Sequence, residues 1–416
     1  MMNDKDVASR SGPLEQGAMK IVETLTDRGY EAYLVGGCVR DKQLQRPVKD
    51  YDIATSARPE QVQKLFERTI PTGLQHGTVT VMIDKEPYEV TTFRREAEYE
   101  AFRRPTEVEY IDNLLEDLQR RDFTMNAMAI NRAGELVDPF GGRQDLERGV
   151  LRCVGNPVER FGEDALRIFR CLRFASEYDL TIEETTWAGL LAQVPLLKHI
   201  ALERVRAELE RMMEGRNPQT ALRLLIESRA LSFVKEKLLL ADLDKFEQDL
   251  PLLEGLASEQ RWACLYMRIG ASSAEAKEDL HVLTFSNQRI EAVSRILLAQ
   301  ETLEELRAAQ TDESEAWKLS VLHAGMAAVR GLAAIITKEL DEVTVWLDEM
   351  PVTEMKQLEI SGKDLVGAFD MKAGPWVGKV LLQLLQQAAL GRLSNERDAL
   401  LKEAKAVYSK VQVIQT

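Results

Sequence analysis

The sequence predicts an α+β head, a small mixed sheet with helices packed on it, followed by an all-helical body. Two observations carry this. Strand-like and helix-like segments alternate over residues 31–95, and beyond about residue 145 helical periodicity runs on with no convincing strand. Length adds a third: 416 residues is chain enough for two to four domains.

The elements follow in order. Residues 32–37, AYLVGG, read as a strand ending in Gly36-Gly37, and 38–45, CVRDKQLQ, as a short helix. Residues 49–55, KDYDIAT, read as a strand. Pro59 stands where a helix can start, and Val62, Leu65 and Phe66 carry it at helical spacing to about residue 69. Residues 77–84 and 88–95 alternate with period two and read as a hairpin joined by Lys85, Glu86 and Pro87. Later stretches, including GEDALRIFRCLRFASEY, ALERVRAELERMMEG, QTALRLLIESRAL and 376–410, are amphipathic helices. No fixed-period repeat or low-complexity linker interrupts them.

Composition, 45% hydrophobic and 29% charged, is that of an ordinary globular protein. No apolar run is long enough to cross a membrane, and the polar start lacks a secretory core, so the expected compartment is the cytoplasm. Cys38, Cys153, Cys171 and Cys264 form no CxxC pair and read as reduced thiols. The four histidines are scattered and read as structural or surface residues, His76 being the least settled. A net charge of −14 argues against a nucleic-acid binder only for the chain as a whole. Arginine is concentrated at 94–104, 120–121 and 167–173, so one face can still be positive.

Asp50 and Asp52 flank Tyr51 in the strand reading, which points both carboxylates to one face about 7 Å apart. Glu89 is the inward acid on the neighbouring strand, sharing its face with Thr91 and Phe93. Three carboxylates on adjacent strands suit hard divalent cations, two Mg²⁺ ions in particular. A lone Asp-x-Asp is usually a solvated strand end; the segment before it changes the reading. Gly36-Gly37 at a strand-to-helix turn lets the backbone approach a triphosphate, the helix start offers N–H groups, and Arg40 stands within reach of a phosphate.

These residues carry a resemblance. Gly36-Gly37-Cys38-Val39-Arg40-Asp41 followed by Asp50-Tyr51-Asp52 resembles motif A of the class II tRNA nucleotidyltransferases and bacterial poly(A) polymerases, within the DNA polymerase β-like superfamily. Residues 120–127 (RRDFTMNA), 138–142 (DPFGG), 163–170 (EDALRIFR) and 203–209 (ERVRAEL) resemble motifs B, C, D and E in order. Residues 360–365 and 374–378 extend the likeness weakly. The resemblance implies that Asp50 and Asp52 bind the metals, that Glu89 is the third carboxylate, and that Gly36, Gly37 and Arg40 meet the triphosphate. Arg121 and Asp122 would hold the ribose, and motif D would choose the base. Asp164 and Arg167, three apart, are read as neighbours on one helix face. A carboxylate accepts from the amino group of cytosine or adenine, and a guanidinium donates to their ring nitrogens; uracil and guanine mismatch both. Arg170 and Arg173 continue the stripe and are expected at phosphates.

The implied activity is addition of C, C and A to the 3′ end of tRNA from CTP and ATP. Poly(A) polymerase and partial CC- or A-addition share the motifs; a non-catalytic RNA-binding protein is the alternative of another class. A full-length charged loop, 94–105, favours complete CCA addition, and the short, weakly basic tail argues against polyadenylation. The expected division is a nucleotidyltransferase head over 1–145, a helical neck over 146–215 carrying the base-selecting motif, a helical body over 216–350 and a tRNA-binding helical tail over 351–416. tRNA would be recognised by shape. A homodimer is left open, and no membrane partner is expected.

Overall fold

The computed structural model describes residues 12–96, 108–246, 251–336 and 340–413. All but the first three residues of the expected 94–105 loop lie outside the described residues. The chain falls into two compact units, Met1–Lys237 and Leu238–Thr416. Head and neck share the first unit, and residue 350 lies inside the second.

The first unit is built on a seven-stranded sheet of β1 (Ala32–Val35), β2 (Asp52–Thr55), β3 (Thr69–Gly73), β4 (Thr78–Ile83), β5 (Glu86–Thr92) and two later strands. A separate ribbon pairs β6 (Arg94–Glu96) with β7 (Val108–Tyr110). The later strands, β8 (Ala129–Ile130) and β9 (Leu136–Val137), complete the order β3-β4-β5-β2-β1-β8-β9. β2 and β5 run parallel, and the other neighbours antiparallel. This is the mixed sheet that the alternating head segments predict.

The helices are α1 (Pro13–Asp27), α2 (Gly37–Gln43), α3 (Pro59–Leu65), α4 (Leu114–Gln119) and α5 (Gly142–Glu147), then α6 (Pro157–Glu163), α7 (Leu166–Tyr178), α8 (Glu184–Gln193), α9 (Leu202–Glu214) and α10 (Pro218–Ser228). α1 and α3 cover one face of the sheet. α1 buries Ile21, Val22 and Leu25 completely, each contributing about 2 kcal/mol of apolar burial. It lies so close to β5 that a Cβ on Gly17 would fall 2.2 Å from the Tyr88 hydroxyl. On the other face Val35, Ala54 and Phe93 pack with Leu114, Leu118, Ala127, Ala129 and Val154. That second layer brings the segment after α4 down onto the ends of β1 and β2. In the second unit, nine α-helices are found among the described residues, from α11 (Ser258–Arg268) to α19 (Arg397–Val413).

Three local readings change. The hairpin turns at Asp84-Lys85, both with positive φ (51° and 72°), so Glu86 and Pro87 belong to β5. Pro87 is tolerated because it lies beyond the stretch paired with β2, which begins at Glu89. The helix after Pro59 stops at Leu65, and Thr69–Gly73 becomes an edge strand whose Pro71 sits where edge strands admit proline. Two-residue strands β10 (Val150–Leu151) and β11 (Thr181–Ile182) pair in parallel in the region expected to be wholly helical. Two residues carry no readable period.

Candidate active site

The parallel pairing of β2 with β5 sets the centre of the site. Asp52 is the register partner of Glu89, and Ala54 of Thr91. In-register residues of parallel strands share a face, so both acids point to the side where Phe93 is buried. Asp50 lies just before β2, which begins at Asp52 rather than at residue 49. Burial alternates through this entry: Asp50 exposed, Tyr51 buried, Asp52 half-buried. Tyr51 points toward α1, where its hydroxyl donates to Glu15 at 3.4 Å, leaving Asp50 and Asp52 on the opposite side.

The electrostatics record the crowding. Burial pushes the Asp52 carboxyl up to about 6, and the charges of Asp50 and Glu89 push in the same direction; only Arg121 opposes them. An oxygen-only donor set of this kind fits a hard divalent cation. Among the described residues, no three or more His, Cys, Asp and Glu side chains are gathered closely enough to hold an ion unaided.

Gly36 stands against Asp52, because Val35 is the register partner of Asp52. Its φ of 73° with ψ of −128° is a conformation that side chains avoid. A Cβ there would meet the Arg121 Nη1 at 3.0 Å and an Asp52 oxygen at 3.9 Å. The Gly37 Cβ position faces the Arg40 Nη2 at 3.5 Å. Arg121 is steadied by Asp117 (3.3 Å), yet its Nε is buried and finds no acceptor among the described residues. A buried donor without a partner costs about 1–3 kcal/mol, and this one sits beside the carboxylates.

Arg40 is buried rather than reaching outward. Its Nη1 donates to the Asn126 amide oxygen at 2.7 Å, its Nε donates to Asp41 at 2.9 Å, and the guanidinium lies 4.3 Å from the Tyr178 ring centroid. The chain of bonds continues. Asn126 donates to Asp122 at 3.0 Å, and Arg170 donates to the other Asp122 oxygen at 2.6–2.8 Å. Burial alone would push the Asp122 carboxyl up, but Arg170 and Asn126 outweigh it and hold the group at about 2. Arg173 is committed elsewhere, to Glu208 at 2.6 Å and Glu177 at 2.9 Å.

Asp164 and Arg167 do not share a helix face. α6 ends at Glu163, α7 begins at Leu166, and Asp164 occupies the extended joint between them. The Arg167 N–H donates to the Asp164 carbonyl at 3.0 Å, but the two side chains are held by different partners. Asp164 accepts the Leu166 N–H at 3.1 Å and Arg204 at 2.9 Å. Arg167 donates to Glu163 at 2.7 Å and to the carbonyls of Arg160 and Arg120 at 3.0 and 2.9 Å.

Sequence reasoning missed Asn126, Glu163, Arg204 and Glu208 as partners of the site. Asn126 and Glu163 stood within the quoted motifs, but nothing local tells which distant charge each will meet. Arg204 and Glu208 lie in the motif E segment, where helical spacing alone places them on α9.

The head matches a family model described as the poly A polymerase head domain over residues 32–152, and residues 256–404 match tRNA nucleotidyltransferase domain 2. A CCA-adding enzyme of Bacillus cytotoxicus is 39% identical over 395 residues, covering 91% of this chain and 95% of the relative. One of Enterococcus faecalis is 37% identical, covering 94% and 96%. The crystal structure of the Bacillus stearothermophilus CCA-adding enzyme in complex with CTP superposes with a TM-score of 0.81 at 31% identity, covering 98% of this chain and all of that one. The Thermotoga maritima CCA-adding enzyme complexed with tRNA shares the fold (TM-score 0.69, 22% identity, 96% of each chain).

Proposed function

The chain belongs to the CCA-adding enzymes, and on that premise we propose how its residues add C, C and A to the 3′ end of tRNA. It is a nucleotidyltransferase that uses CTP and ATP and releases pyrophosphate. The tRNA 3′-hydroxyl oxygen forms a bond to the α-phosphorus of the nucleotide while the bond to the β-phosphate oxygen breaks.

Asp50 and Asp52 are the proposed ligands of divalent metal, read as two Mg²⁺ ions, with Glu89 as the third carboxylate. Bound cations would lower the pKa of the attacking hydroxyl and offset charge on the leaving pyrophosphate. Gly36 and Gly37 leave the backbone bare where the triphosphate lies, and Arg121 and Arg40 border that space. The buried Arg121 Nε, which finds no acceptor among the described residues, supports a substrate group there. Asp122 is proposed at the ribose. Arg170 and Arg173 are proposed at phosphates, where an incoming polyanion must compete with Asp122 and Glu208 for their donors. Asp164 accepts the amino group of the base and Arg167 donates to its ring. The helical tail over 351–416 is proposed to bind tRNA, and the compartment to be the cytoplasm; among the described residues no helix is long and apolar enough to cross a membrane.

The single observation that supports this reading is the Asp52–Glu89 register, with Asp50 close enough to raise the Asp52 acid. The test is extension of tRNA ending before, within and after CCA, with each nucleotide supplied singly. CTP is expected on tRNA ending before CCA or after its first C, and ATP only on tRNA ending after both C residues. Incorporation of ATP alone on every substrate would replace the reading with polyadenylation.

A further inference from the structure

We infer that Arg204 is a positioning residue for base choice, acting by fixing the plane of the Asp164 carboxylate. The inference rests on Asp164 and Arg167 reading the base. The two side chains are held by different parts of the fold. Arg167 is held from α6 and from the Arg120 carbonyl that precedes the motif B arginine. Asp164 is held from α9, forty residues further along, by Arg204.

The geometry gives that ion pair a purpose. Asp164 sits at an extended joint, not within a helix, so no regular turn confines its side chain. Its Oδ1 takes the Leu166 N–H and its Oδ2 takes the Arg204 guanidinium, one tether on each oxygen. A carboxylate tethered at both oxygens cannot turn about its last bond. Its remaining lone pairs then face the base in one direction, as acceptors only. A cytosine or adenine amino group satisfies them; the uracil carbonyl places oxygen against oxygen. A carboxylate tethered only by Leu166 could rotate away from that oxygen and tolerate uracil. Arg204 thus turns a preference into a rejection, since rejection depends on leaving fixed polar groups unpaired. The pair is only partly buried, 28% exposed for Arg204 and 19% for Asp164, so its value lies in orientation more than in stability.

The test measures kcat/KM for CTP and for UTP on tRNA lacking CCA, in the full chain, with melting curves confirming that each variant is folded. Arg204→Ala is expected to lower the CTP-to-UTP ratio by about tenfold, chiefly through a gain in UTP use. Arg204→Lys, which restores one tether, is expected to recover part of the ratio, and it serves alone should the alanine variant not fold. Asp164→Ala combined with Arg204→Ala should discriminate no worse than Asp164→Ala, since the two act as one unit. If Asp164→Ala collapses the ratio while Arg204→Ala lowers CTP and UTP use equally, the positioning role is wrong and base reading survives. If Asp164→Ala leaves the ratio unchanged, base reading by that residue fails, and this inference with it.

Discussion

Asp52 shows what a single residue carries. It is tied to the strand by the register with Glu89, half out of water, and repelled by two neighbouring acids. A folded-state carboxyl near 6 against an ordinary 3.8 means that the folded chain holds the proton more tightly than the unfolded chain does. The residue therefore costs nothing at acidic pH, and its cost grows as pH rises from 3.8 through about 6, reaching about 3 kcal/mol at neutrality. Asp52→Asn should accordingly raise the melting temperature at pH 7 and leave it unchanged near pH 3, while abolishing nucleotide addition. A variant that lost stability at pH 7 would show that the acids are not crowded. Such stability held back at a reactive centre is a familiar trade. The pair of acids was legible in sequence because alternation along an extended chain is a local property; the buried Arg121 Nε was not.

At the scale of elements, α7 is the strut of the site. One side of it ties to the motif B segment through Arg170 and Asp122, and another ties to α9 through Arg173 and Glu208. Motif C supports the same structure from below. Asp138 caps α5 by accepting the N–H groups of Gly142 and Arg143, and a Cβ on Gly142 would fall 2.2 Å from the Thr124 carbonyl oxygen. The Asp122–Arg170 pair makes α7 sensitive to acid. Its carboxyl, held at about 2 against an ordinary 3.8, contributes about 2 kcal/mol above pH 4, and that contribution is lost as pH falls from 3.8 toward 2. Asp122→Asn should flatten the acid limb of the stability profile; an unaltered limb would mean that other carboxylates govern it. The periodicity of α7 was readable from sequence, but the break at Asp164 was not. An interruption of two residues hardly disturbs a helical pattern thirteen residues long.

Across the whole molecule, a chain of net charge −14 must bind a polyanion. Only local positive surface can do this, so the logarithm of tRNA affinity should fall linearly with log salt, with a slope that counts the phosphates engaged. Titrating tRNA binding between low and moderate salt checks this, and a flat response would show that charge plays no part in recognition. The architecture itself, an α+β head and a helical remainder, follows from periodicities of two and 3.6 residues that any short window displays. The same holds for the Gly36-Gly37 turn and the Asp50 and Asp52 spacing, because backbone geometry alone dictates where neighbouring side chains point. Which buried charge meets which is a different matter. Arg40 with Asn126, Arg170 with Asp122, Arg173 with Glu208 and Asp164 with Arg204 join residues 35 to 86 positions apart. No local pattern encodes such pairs: each forms because a charge removed from water must find a partner, and only the packed chain decides which one lies within reach.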